Sequence, residues 1–250
     1  MPAWNEHREN EYMNARTIAD ISASLAGACV FCGRADRPMT REHVFAHWLV
    51  RQVHGGRLVP SGLTRDNAPA SAAAVRISRV VARVCAACNA GWMSGLEVAF
   101  RRTLFARPRV GLLQTPERVT LSRWFAKTAV LLANAHGLEL VGATRRAQLV
   151  AGMPDGIEVF VARQRRPRQR LDFALDVEDV AQEAHVRSVA ILVDDLLAFV
   201  AARDTLGSRH GTRLWPLRSH TLRWDTLPVI TPIVGTGARR GSTAVPRTAD

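Results

Sequence analysis

Long apolar runs are missing from this chain of 250 residues. The longest, 129–135 and 189–193, are far too short to cross a bilayer, so no membrane-spanning helix is expected. Residues 1–16 are rich in Asn, Glu and Arg and have no apolar stretch of signal-peptide type, so no leader is expected there. The expectation is a cytoplasmic protein without a membrane partner, where paired thiols favour metal over disulfide. Lysine is nearly absent; of 34 basic residues only Lys127 is a lysine. So lopsided a ratio, in a chain with much alanine, reflects a high-GC genome as readily as function. The charge balance says more. At a formal net charge of +12 the chain attracts polyanions at long range, and one zinc on four thiolates would leave it strongly basic. Cysteine is scarce as well, with four residues and none left over. No internal repeat is present.

What the chain does have is an apolar content of 47%, enough to bury a core, and a pattern in its cysteines. Cys29-Val30-Phe31-Cys32 and Cys85-Ala86-Ala87-Cys88 are two Cys-x-x-Cys pairs. Each pair can turn two sulfurs toward one ion, and together they close a tetrahedron around zinc. A closed four-thiolate site does no chemistry itself, but its binding energy, about 10–16 kcal/mol in small zinc peptides, can hold together a unit with a small core. A redox dithiol is the weaker reading, because pairing both dithiols on zinc accounts for every cysteine. The 52 residues between Cys32 and Cys85 exceed what a simple zinc ribbon needs.

That insertion contains Thr40-Arg41-Glu42-His43-Val44, and Asn89 directly follows the second pair. Glu42 is a hard oxygen ligand suited to Mg2+ or Mn2+. His43 can take a proton near neutral pH. Asn89 adjoins a zinc ligand, so the metal scaffold would fix its position. Phosphodiester hydrolysis needs such an array: a base for water, and a cation to hold the scissile phosphate and offset charge on the leaving oxygen.

The order Cys-x-x-Cys, Glu-His-Val-Phe, Cys-x-x-Cys-Asn, then Gly91-Trp92-Met93-Ser94 resembles the zinc-knuckle HNH endonucleases, over about residues 28–105. The resemblance implies an α+β fold with a zinc-stapled ββα-metal unit of treble-clef type. It implies His43 as the general base, Glu42 and Asn89 as ligands of a catalytic Mg2+ or Mn2+, and Cys29, Cys32, Cys85 and Cys88 as ligands of structural zinc. Asn67, the only asparagine between His43 and Asn89, is the candidate for the family's middle asparagine. The implied partner is DNA, double-stranded by family habit, and the implied products carry 5′-phosphate and 3′-hydroxyl. Two features depart from the family: no proline follows His43 closely, and the glycine-rich segment after Glu-His is reduced to Gly55-Gly56. Within the same stretch, His47 would share a face with His43 if the segment were helical and could reach phosphate or metal; otherwise it is a surface residue beside Trp48. Arg34, Arg41 and Arg83 either contact phosphates or balance the charge of a zinc tetrathiolate. Trp48 and Trp92 are expected to pack around the zinc unit. The alternative to an enzyme is a catalytically inactive, zinc-stabilised nucleic-acid-binding or protein-adaptor module.

The rest divides into a polar arm at 1–27, the zinc unit at 28–110, a mixed helix and antiparallel-strand unit at 115–234, and a disordered tail at 235–250. Residues 55–74 read as a loop, 75–84 as a basic strand entering the second Cys pair, and 93–105 as a helix. The clearest helix is 122–135, with Gly137 where a C-terminal cap belongs. A second follows at 145–151. Strands are expected at 157–162, 171–177, 186–193 and 196–200, with Asp194-Asp195 as a tight hairpin. The basic run 163–170 is equally a solvated loop or a phosphate clamp.

Overall fold

The computed structural model describes residues 27–54, 80–106, 108–165, 170–180, 183–202, 211–217 and 221–230. The expectations for 1–26, 55–79 with Asn67, 166–169 and the tail fall outside the described residues. The chain is mixed α+β, with two antiparallel sheets and a four-cysteine cluster.

The first sheet is a two-stranded pair. Strand β1 (Met39–His43) lies antiparallel to β2 (Val81–Cys85), with Glu42 opposite Ala82 and Met39 opposite Cys85. Helix α1 (His47–His54) follows β1 and buries Leu49, Val50 and Val53. After β2 the chain turns helical at once: α2 (Ala86–Cys88), a π-helical turn at Asn89–Met93, then α3 (Ser94–Phe105). Gly91, at φ −85° and ψ −113°, breaks the helical path inside the π turn. Such local widenings re-aim the side chains on them.

Helix α4 (Thr115–Ala135) begins about two turns before the apolar pattern does. The reason is its start signal: Gln114 and Glu117 form a reciprocal capping box, with Pro116 in the first turn. It ends where expected, as Gly137 takes φ +71° and Gly137 and Leu138 donate back to Asn134 and Ala133. A short α5 (Ala143–Gln148) follows.

The second sheet runs β4-β5-β6-β3-β7 from β3 (Ile157–Gln164), β4 (Leu171–Val180), β5 (Glu183–Val193), β6 (Leu196–Ala202) and β7 (Thr212–Trp215). Strand β8 (Val229–Ile230) adds in parallel to β3. The β5–β6 hairpin turns at Asp194, whose φ of +59° suits an Asp-containing turn. Arg109 pairs with both Asp194 and Asp195, while Arg163 and Arg170 take one each, so the two ends of the basic run are held by carboxylates.

Helix α4 packs on one face of this sheet and, on its other side, against β2 and α3. Contact on both sides explains its burial from Leu121 to Ala133, polar residues included, with only Arg123 of that stretch half-buried. One buried cluster runs from Cys29 through α4 to Leu227. Phe160, Leu192, Leu197 and Phe199 form a separate cluster.

At the end of α1, His54 has a buried Nε2 with no hydrogen-bond partner among the described residues, and burial, aided by the charge of Arg170, pulls its pKa below the usual 6.5. The unfolded chain therefore takes up this proton first on acidification. The contribution to stability is complete above pH 6.5 and is lost as pH falls from there through the depressed value. His54→Gln is expected to flatten the pH dependence of urea unfolding between neutral and mildly acid pH; an unchanged slope would refute this origin.

Candidate metal centre and polar site

The cysteine cluster is built from two local turns. Cys29 and Cys32 lie on a loop closed by Gly33, whose φ of +69° lets its N–H reach the Cys29 carbonyl at 2.9 Å. Cys85 ends β2 and Cys88 ends α2. Backbone bonds from Val30 to Arg83 and from Ala86 to Pro38 fasten the loop to the strand pair. The four sulfurs lie within 4.8 Å of one another, and Cys32 Sγ is 3.7 Å from Cys85 Sγ. Zn–S bonds of about 2.3 Å in a tetrahedron separate sulfurs by about 3.8 Å. The residues therefore fit zinc, and the cluster could bind it.

The electrostatics point the same way. Burial and the neighbouring thiols push Cys32 and Cys88 up. Burial also opposes ionisation of Cys85, but the Cys88 N–H and the thiols around it outweigh that and bring Cys85 down to about 7. Four close sulfurs cannot all ionise unaided, and a divalent cation removes the conflict. Arg34 is near enough for Cys32 and Cys85 to act on it, although its guanidinium is paired with Asp36 at 2.6 Å.

The second group of polar residues sits beside this frame. Thr40 and Glu42 alternate onto one face of β1. Asn89, the first residue of the π turn, donates from Nδ2 to Thr40 Oγ1 at 3.2 Å, and its side chain also hydrogen-bonds Glu42. The structure thus brings Glu42 and Asn89 together. Burial pushes the Glu42 carboxyl up, and the charge of Lys127 and the Asn89 bond pull against that.

His43, at the end of β1, meets a different neighbour. Its ring centroid is 4.4 Å from that of His47, at a tilt of 53°. The two rings meet across a strand-to-helix corner, with His43 ending β1 and His47 opening α1, rather than along one helix face. Burial, with the charges of His47 and Arg41, lowers the pKa of His43. The exposed His47 lies near enough for its charge to act on both His43 and Glu42. Arg41 is exposed, whereas Arg83 is half-buried and lines a cavity with the cysteine loop. Among the described residues the four cysteines are the one group of three or more His, Cys, Asp or Glu gathered tightly enough for a metal. Glu42 and Asn89 would supply two oxygen donors to a second ion, consistent with the habit of Mg2+ to take few protein ligands and keep water and phosphate for the rest.

Beneath the site lies a hub that no motif announces. Glu97, on α3, accepts from Trp48 Nε1 at 3.1 Å, Trp124 Nε1 at 2.8 Å and Lys127 Nζ at 2.5 Å. Lys127 is 2% exposed and Glu97 15%. One signal for it does stand in the sequence: the chain's only lysine lies in the middle of its most apolar helix. A cation there is tolerable only when paired. Trp48 and Trp92 pack as expected, with Trp48 beside Phe100 and Phe105, and Trp92 edge-on to Phe31 at 4.9 Å.

Metal analysis of the purified protein is expected to give one zinc per chain, and its removal by a chelator to abolish cooperative melting of the β1–α3 region; a metal-free protein that melts as before would exclude the structural role. Glu97→Ala, which strands a buried ammonium and two indole N–H groups, is expected to cost about 3–5 kcal/mol in denaturant unfolding, and a loss no larger than that of a typical surface change would show the hub to be dispensable. Comparison of the chain with family models, with curated proteins and with solved structures gives no match.

Proposed function

We propose that the zinc-stapled region is a ββα-metal unit of treble-clef type, related to the HNH endonucleases, that hydrolyses DNA phosphodiester bonds with a divalent ion. The observation that carries this reading is the meeting of Glu42 and Asn89, which are 47 residues apart in sequence, beside His43 and the cysteine frame. The supporting arrangement is a cysteine loop, an antiparallel strand pair, and a helix that starts at the second cysteine pair.

In this mechanism His43 accepts the proton of the attacking water. Its lowered pKa keeps the imidazole neutral, and so able to accept, near neutral pH. Glu42 and Asn89 would hold Mg2+ or Mn2+ through their side-chain oxygens, while Asn89 Nδ2 donates to Thr40. The divalent ion, when bound, offsets charge on the scissile phosphate and the leaving oxygen. His47 extends the site toward the solvent, where the backbone would enter. The products would carry 5′-phosphate and 3′-hydroxyl ends.

A second reading, a zinc-stabilised nucleic-acid-binding or adaptor module without catalysis, draws on Lys127. A fixed ammonium acting on Glu42 already offsets its charge without a divalent ion.

Purified protein incubated with supercoiled plasmid and Mg2+ or Mn2+ is expected to nick it, and His43→Ala to lose nicking by at least about a hundredfold while keeping its zinc and its melting profile. Equal cutting by the folded variant would sink the assignment of the base. Absence of nicking by the wild type with either ion would favour the adaptor.

A further inference from the structure

We propose that Arg41, Arg51 and Arg101 form a phosphate-gripping rim around the His43–His47 pair, shaped for the backbone of a double-helical nucleic acid. This rests on the reading that the chain acts on double-stranded nucleic acid, and adds to it the residues that would hold its phosphates.

The arginines of the chain are used unequally. Arg109, Arg163 and Arg170 are taken up by Asp194 and Asp195. Arg34, Arg187 and Arg223 each lean on a nearby aspartate. Arg41, Arg51 and Arg101 are exposed, and among the described residues none of them has a carboxylate partner. A guanidinium left free in solvent keeps all its N–H donors for an incoming anion.

These three are also tied to one place. Arg41 lies two residues before His43 on β1, on the same face of the strand, and its charge acts on the His43 ring. Arg51 stands one helical turn after His47 on α1, on the same face. Arg101, on α3, holds its guanidinium over the Trp48 ring, 5.4 Å from the centroid. Trp48 is itself fixed by its bond to Glu97, so Arg101 is carried on an anchored platform. Three elements thus each carry one of the three exposed cations. Among the described residues, Glu97 under Trp48 is offset by Lys127.

The form of the partner follows from the aromatics. Single strands are held chiefly by bases stacked on exposed rings. Here the Trp48 ring is covered by Arg101 and flanked by Phe100 and Phe105. The Trp92 ring lies against Phe31 with Arg123 over it at 4.9 Å. Both tryptophans of the zinc region are spent on packing, and what remains for a ligand is charge, which suits a duplex held by its phosphates without regard to sequence.

The test is the salt dependence of binding. Full-length zinc-loaded protein is titrated with a fluorescent DNA duplex over a range of KCl without added divalent ion. Arg41→Gln, Arg51→Gln and Arg101→Gln combined are expected to lower the log–log salt slope by about 2.7, or about 0.9 for each phosphate no longer neutralised. Unchanged zinc content and melting would show that the surface changes left the fold intact. A slope equal to wild type overturns the rim. Tighter binding of a single strand than of the duplex overturns the form of substrate, and displacement of the duplex by polyglutamate as effectively as by unlabelled DNA would mark an acidic-peptide surface instead. Plasmid nicking, run in parallel on wild type and His43→Ala, separates the two readings. A lowered slope with no nicking leaves the rim standing and removes the catalysis; nicking with an unchanged slope does the reverse.

Discussion

Four sulfurs within 4.8 Å of one another, three of them on buried cysteines, form a cluster that a cation would satisfy. Burial and the neighbouring thiols hold Cys32 and Cys88 protonated. Shared around one zinc, the four would instead fix the position of everything attached to them. The attachments are few and direct. The cysteine loop is fastened to β2, β2 to β1, and Cys88 leads into the π turn that begins with Asn89. The meeting of Glu42 with Asn89 is therefore a consequence of where the sulfurs are. Neither residue needs a large core of its own to hold its place.

The zinc region is nevertheless not sealed off from the rest. Helix α4 brings Trp124 and Lys127 to Glu97, and Glu97 also holds Trp48 of α1. One carboxylate thus joins α1, α3 and α4, directly under the residues proposed for chemistry. The pairing of Lys127 with Glu97 is a low-dielectric interaction whose loss on either side would leave an uncompensated charge. This makes α4 a wall of the candidate site as well as the spine against which the second sheet packs. Among the described residues, the groups acting on Glu42 come from α1, α3, α4 and the π turn rather than from this sheet.

Legibility differs by element for physical reasons. The helix at 122–135 and the hairpin at Asp194-Asp195 are plain in the sequence because their signals are local: a broad apolar face in one, a polar turn between β-branched runs in the other. Strand β1, Met-Thr-Arg-Glu-His, has no apolar alternation and is a strand because β2 pairs with it. Strand β7 is four residues long and depends in the same way on β3. The early start of α4 is carried by its capping box rather than by its apolar pattern. Among candidate site residues, the cysteines can be read from spacing, and the Glu-His and Cys-Asn pairs from residue type and the family resemblance. Glu97, Arg51 and Arg101 cannot, because each matters through a partner on another element: Trp48 and Lys127 for Glu97, the His43–His47 corner for Arg51, the Trp48 ring for Arg101.

The sequence alone offered four thiols in two Cys-x-x-Cys pairs with no cysteine over, a set that could share one ion. It also determined the types of residue offered beside that ion, a carboxylate, two imidazoles and an amide. Only the tertiary structure decided how they are grouped. Glu42 faces Asn89 because alternate residues of a strand take opposite faces and Thr40 draws the amide to that side. His43 meets His47 because the chain turns from strand to helix between them. And a lone lysine became a buried partner of Glu97 because α4 is covered on both sides, which leaves its one ammonium no water to turn to.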